Sequence, residues 1–87
     1  LLVNRAQMAV FIARAIADPT REEGLADYQP PEVPTFRDVP SGYWGYKHIE
    51  YLAENEVVGG YPDGTYQPTS PVTRAQMAVY ITRAFHL

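Results

Sequence analysis

Two arginines hold equivalent places in a repeated segment, and of all the residues in the chain they have the clearest chemical potential. Residues 3–16 read VNRAQMAVFIARAI and residues 72–85 read VTRAQMAVYITRAF, identical at ten of fourteen positions across an offset of 69. In each copy a capping residue, Asn4 or Thr73, is followed three positions later by Gln7 or Gln76. That is the spacing of a capping box, so a helix starts there. Arg5 and Arg74 then fall at the first helical position, where the macrodipole disfavours a cation by roughly 0.3–1 kcal/mol. The same misplacement twice asks for a reason. One reason is an anion site, in which free helix N–H groups and a guanidinium converge on a carboxylate. The other is a salt bridge to Asp38 or Asp63 that buttresses a loop. The residue pattern leaves both open.

Aromatic residues are the second resource. Tyr43, Trp44, Tyr46, Tyr51, Tyr61 and Tyr66 crowd the region before the second copy. A flat ring with a polar edge suits the apolar C–H face of a sugar, but aromatics also supply much of a small core. Tyr46, Tyr51 and Tyr66 are read as core, and Trp44 as a ligand contact, because it lies off the clearest apolar stripe. Other chemistries find little support. His48 and His86 are isolated in spacing, and a packing or surface role suits them better than metal ligation. Glu50 and Glu54 share a helix face, which reads as a solvated surface and not as the opposed carboxylate pair of glycoside hydrolysis. Ser41 and Ser70 sit in turns without a nucleophile motif. Asp63-Gly64 lacks the other acidic positions of a calcium loop. No catalytic residue, metal ligand or cofactor motif is assigned, and the chain is read as no enzyme.

The elements that must position these residues follow from spacing and composition. Met8, Ala9, Ile12, Ala15 and Ile16, and again Met77, Ala78, Ile81, Ala84 and Phe85, recur at helical intervals. A further helix is predicted from about Gly42 to Asn55, with Ser41 as its cap and Ile49, Leu52 and Ala53 as its stripe. Pro62-Asp63-Gly64 predicts a turn, and a short extended ribbon around Tyr61 and Tyr66 is left open. Residues 17–35 hold four of the eight prolines and read as an exposed, semi-rigid spacer. The 87 residues therefore divide into 1–17, the last helix of a preceding repeat, a Pro-rich linker over 18–35, and one nearly complete repeat over 36–87. The fold class is mostly α, a helix–loop–helix unit with turn-rich loops. A formal charge of −3 argues against coating nucleic acid or anionic lipid by long-range attraction. The absence of cysteine excludes disulfides and thiolate sites. No apolar run is long enough for membrane insertion.

The order Phe36-x-Asp38-Val39, the Trp44 helix, the Gly-Tyr-Pro-Asp-Gly-Thr loop at 60–65 and the Thr-Arg-Ala box at 73–75 resembles the S-layer homology repeat of bacterial cell-envelope proteins. The resemblance covers residues 36–85 as a nearly full repeat, and residues 3–16 look like the last helix of the one before. It implies non-catalytic anchoring at the extracellular bacterial surface. The bound partner it implies is a secondary cell-wall polysaccharide, often with a pyruvylated terminal sugar. It further implies that several repeats about a pseudo-threefold axis build the grooves. Carried over by position, the implied ligand-binding residues are Asp38, Trp44, Gly60, Arg74 and Arg5. Two features depart from the family pattern: Gln76 and Gln7 stand where the box often ends in Glu, and a third repeat is absent. Neighbouring repeats of the same or another chain are expected partners, and a homo-oligomer is one way to supply them. The alternative function is a protein-interaction or self-assembly module of a surface protein.

Overall fold

A computed structural model describes residues 3–17 and 28–85. The linker expectation for 18–27 and the reading of His86 lie outside the described residues. Three helices carry the fold: α1 over Arg5–Ala17, α2 over Tyr46–Glu54 and α3 over Arg74–Phe85. Among the described residues there is no strand, so the molecule is mostly α, as the spacing predicts. The ribbon around Tyr61 and Tyr66 does not form. In its place the Tyr61 N–H donates to the Thr65 carbonyl at 2.8 Å and the Gly64 N–H to the Tyr61 carbonyl at 2.9 Å, closing a turn. Gly64 takes φ +87°, which its lack of a Cβ permits.

Helix α1 is the central element and packs against both α2 and α3. Met8, Ile12, Ile49, Leu52, Val57 and Tyr66 are almost wholly buried and form the middle of one continuous core. Each side chain removed from water in this way contributes roughly 1.5–3 kcal/mol. The lead-in segments of the two related helices lie against each other. Asn4 and Pro71 form an isolated antiparallel bridge. The Val72 N–H donates to Val3, the Arg5 N–H to Ser70 and the Ala6 N–H to Pro68, at 2.8–2.9 Å.

Helix α2 begins four residues later than the predicted Gly42. Residues 40–45 form successive turns, with Tyr43 N–H on the Pro40 carbonyl and Tyr46 N–H on the Tyr43 carbonyl. Gly45 is the cap, with no side-chain capping bond, and Ser41 is exposed. Gly42 and Gly45 explain the delay, because glycine costs close to ~1 kcal/mol relative to alanine inside a helix. Trp44 therefore precedes the helix.

The solvated reading of Glu50 is overturned. Glu50 is 2% exposed, and its carboxylate accepts from the Thr35 N–H at 2.9 Å and the Thr35 hydroxyl at 2.6 Å. Tyr28 donates its hydroxyl to Glu54 at 2.6 Å, and Tyr46 donates to the Pro31 carbonyl at 2.5 Å. Residues 28–35 carry no helix or strand, as their prolines require, yet they are pinned along α2. A proline-rich segment cannot satisfy its polar groups internally, so helix side chains do it.

Candidate functional site

Arg5 is buried, with 3% of its surface exposed. The capping box predicted at its helix start is complete. Gln7 N–H donates to Asn4 Oδ1 at 2.8 Å, and Asn4 N–H to Gln7 Oε1 at 3.0 Å. The same box forms at α3 between Thr73 and Gln76, at 2.9 and 3.1 Å. An amide oxygen accepts this bond as well as a carboxylate does, so glutamine serves the cap without a charge.

The guanidinium of Arg5 enters a cage built from the loop and from α3. Nε donates to the Tyr66 carbonyl at 2.6 Å, one terminal nitrogen donates to the Tyr80 hydroxyl, and the other to the Gly59 carbonyl at 3.2 Å. The rings of Tyr66, Tyr61 and Tyr80 lie 4.1, 5.2 and 5.7 Å from its central carbon, within cation–π range. Neither Asp38 nor Asp63 pairs with it. Asp63 instead accepts from the N–H and hydroxyl of Thr65, which holds its carboxyl below the ordinary value, and it stands 3.8 Å from Arg37. Among the described residues no carboxylate neutralises Arg5. The cage engages all three guanidinium nitrogens with neutral acceptors and leaves its charge.

Asp38 and Gly60 belong to the same construction. Asp38 accepts from the Tyr66 N–H at 2.8 Å and the Gln67 N–H at 2.9 Å, so it fixes the backbone whose carbonyl receives Arg5. It also holds Gln67, which has φ +60°. Phe36 stacks on Tyr66 with centroids 5.2 Å apart. A Cβ on Gly60 would stand 2.5 Å from the Phe36 ring and 2.8 Å from the Thr65 carbonyl oxygen. Only glycine lets the loop close over this pair. Tyr66 donates its hydroxyl to the Arg5 carbonyl at 3.0 Å; burial pushes its ionisation up, and the Arg5 charge opposes that only in part.

Trp44 and Arg74 stand outside the cage. Trp44 is 60% exposed, and its ring lies 5.7 Å from that of Tyr43. Arg74 is exposed, and no hydrogen bond or ion pair holds it among the described residues. The structure thus brings Arg5, Asp38 and Gly60 together around Tyr66 and leaves Trp44 and Arg74 outside that cluster. Gly59 and Tyr80 are the cage members that sequence reasoning passed over, along with any contact of Tyr61 or Tyr66 to an arginine. One signal was present: Tyr80 replaces Phe11 between the repeated helices, and the added hydroxyl is the one that receives Arg5. Among the described residues no group of acidic or histidine side chains could hold a metal ion. Among the described residues no helix is long and apolar enough to cross a membrane.

The sequence pattern of the S-layer homology domain matches residues 35–78, just over half of the chain. The chain belongs to the S-layer homology family. Its match to the S-layer protein EA1 of Bacillus anthracis is 43% identical over 53 residues, 61% of this chain and 6% of that protein. The cellulosome-anchoring protein of Acetivibrio thermocellus is 33% identical over 76 residues, 87% of this chain and 16% of its own length. An endoglucanase of Bacillus sp. is 33% identical across all 87 residues, which are 8% of the enzyme. The S-layer homology chain thus spans a small part of each of these relatives. The matched residues include Asp38, Trp44 and Gly60, but the pattern stops inside α3, after Arg74.

Proposed function

We propose that this chain is a non-catalytic anchoring module of the bacterial cell surface that binds an anionic cell-wall polysaccharide. The loop at 59–66 and the start of α1 form the receiving site. The observation that carries the proposal is the Arg5 charge, enclosed by neutral carbonyls, a hydroxyl and ring faces. Neutral acceptors meet a guanidinium's donors without cancelling its field, and that field acts at short range in a poorly solvated place. An acidic sugar substituent such as a pyruvate ketal is the complement. Tyr61 walls the cage and is 37% exposed, and Trp44 offers a ring to a sugar face. Asp38 and Gly60 then act as positioning residues, since each shapes the loop.

Residues 1–17 are read as the last helix of one repeat, 18–35 as a connector and 36–87 as a nearly complete second repeat. On this reading each junction between an arginine-bearing helix and the following loop makes one groove. Arg5 belongs to a junction that is made, and Arg74 to one that another repeat completes. Binding without hydrolysis fits Glu50 and Glu54, which lie on one helix and are engaged by Thr35 and Tyr28. The endoglucanase match covers too little of that enzyme to carry its reaction here.

Trp44 is the single tryptophan, so its fluorescence reports on the site. Titration with a pyruvylated polysaccharide should shift its emission and saturate. The same polymer stripped of pyruvate should bind at least about tenfold more weakly, a loss of ~1.4 kcal/mol. Equal affinity for both would defeat anionic recognition. Trp44→Ala, read by calorimetry, should weaken binding while thermal stability stays unchanged. A second reading, self-assembly, draws on the exposed Phe11, Val79 and Phe85, the last beside an open depression among the C-terminal ends of the three helices.

A further inference from the structure

We propose that Glu50 is a positioning residue for the Arg5 cage, acting through Thr35, so that the seating of residues 28–35 on α2 is coupled to ligand binding at the cage. The inference deepens the glycan-binding reading above and rests on it for the ligand alone.

Glu50 and Arg5 are the two charged side chains buried among the described residues, and neutral groups hold both. Thr35 supplies the hydrogen bonds of Glu50, from its N–H at 2.9 Å and its hydroxyl at 2.6 Å. A carboxylate taken out of water is costly, and an apolar side chain of similar size in its place is often harmless to stability. Stability alone therefore does not account for Glu50. What Thr35 leads into does.

The residues after Thr35 build the floor of the cage. Phe36 stacks on Tyr66 and fills the space that a Cβ on Gly60 would take. The Arg37 N–H donates to the Gly64 carbonyl at 3.1 Å, and the Val39 N–H closes a turn on the Phe36 carbonyl at 3.1 Å. Asp38 accepts from the Tyr66 and Gln67 N–H groups, beside the carbonyl that receives Arg5 Nε. Before Thr35 stand Pro30, Pro31 and Pro34, each with a fixed φ. That run meets α2 where Tyr46 donates to the Pro31 carbonyl and where Tyr28 donates to Glu54. A proline-rich segment is stiff and passes a displacement on to what it joins. Thr35 is the joint between the stiff run and the cage floor, and Glu50 holds the joint. Asp38 follows three residues later, so a shift at Thr35 acts on the cage and is not lost in a long loop. The coupling is reciprocal: a ligand that steadies the cage steadies the Thr35 seat by the same factor.

Hydrogen exchange followed by NMR tests the positioning with no ligand present. The Tyr66 and Gln67 amides report on the cage, and the α1 amides around Ile12 report on global opening. Glu50→Met should speed exchange at Tyr66 and Gln67 by about tenfold relative to Ile12, and Thr35→Val by about threefold. Thr35→Val keeps every charge and the backbone bond, so it remains a test even if Glu50→Met does not fold. Glu50→Gln, which keeps an oxygen for the Thr35 N–H, should recover most of the Glu50→Met change. Equal acceleration at all three amides, or none at Tyr66 and Gln67, would overturn the proposal. With the pyruvylated polysaccharide, Thr35→Val should bind about threefold more weakly, and the ligand should slow exchange of the Thr35 amide in the parent. Unchanged affinity in Thr35→Val would sink the coupling. A parent that binds no polysaccharide defeats the reading of function and leaves the exchange ratios to decide the positioning.

Discussion

Arg5 is buried without a carboxylate, and this decides how the site answers to mutation. Arg5→Met keeps the aliphatic stem and leaves the Tyr66 and Gly59 carbonyls and the Tyr80 hydroxyl without their donor. The expected loss is about 3 kcal/mol, read as a fall in the urea midpoint, because buried groups left unpaired cost the most. Arg74→Met, the same change at an exposed copy, should stay within ~0.5 kcal/mol. His48 makes a second prediction at this scale. Its Nδ1 is buried without a partner among the described residues, and burial first, then Arg14 and Lys47, hold its pKa below the ordinary 6.5. The unfolded chain then binds the proton more readily. Stability is present in full above the unfolded value and declines as pH falls from there toward the folded one. Urea midpoints from about pH 7 to about 5.5 should fall for the parent and fall less for His48→Gln. The doubled misplacement of arginine was legible in the sequence. What it is for was not, since Asp38 and Asp63 both spend their oxygens on loop amides, a matter of loop closure that spacing does not encode.

At the scale of elements, the two capping boxes read directly from the sequence, and they give a matched pair of expectations. Thr73→Ala and Asn4→Ala each remove one side-chain acceptor, for a loss of about 1 kcal/mol by chemical denaturation. The Asn4 variant should cost more of the native fold, because α1 is central and α3 is half uncovered. Gly60→Ala should be the most damaging single methyl in the loop, at about 1–3 kcal/mol. The Phe36 ring could shift, but the Thr65 backbone oxygen could not. The start of α2 was less legible than the other helix starts. Ser41 had the right chemistry for a cap, but two glycines after it moved the helix onward and left Trp44 outside. The proline composition of residues 28–35 correctly excluded regular structure, yet pointed to solvent where Glu50 and Tyr46 supply partners. Composition records what a segment cannot form and is silent on what it rests against.

For the whole molecule, the charge of −3 and the caged arginine act at different distances. Long-range repulsion of an acidic polymer fades with salt, whereas the short-range field of a charge held in a dry cage is screened little. Affinity for an acidic glycan should therefore be nearly flat, as calorimetry would read it, between about 50 and about 300 mM salt. A steep fall would mean binding through diffuse surface charge and would count against the cage. The mostly α class and the repeat were visible from periodicity, because ten shared positions in fourteen fix both helix and register. The asymmetry between the two copies was barely visible, since the helices differ at four of fourteen positions and only the Phe11 to Tyr80 change bears on which arginine is held.

The pairing of the two lead-in segments has a mechanical meaning. Tension entering the chain at Val3 meets backbone bonds to Val72, Ser70 and Pro68 within four residues, followed by the grip on Arg5. The load crosses to a point 61 residues further along the sequence without being borne by the covalent path between. Under the proposed anchoring function, a chain clasped this way resists pulling between Val3 and Val72 without loading the covalent path that joins them.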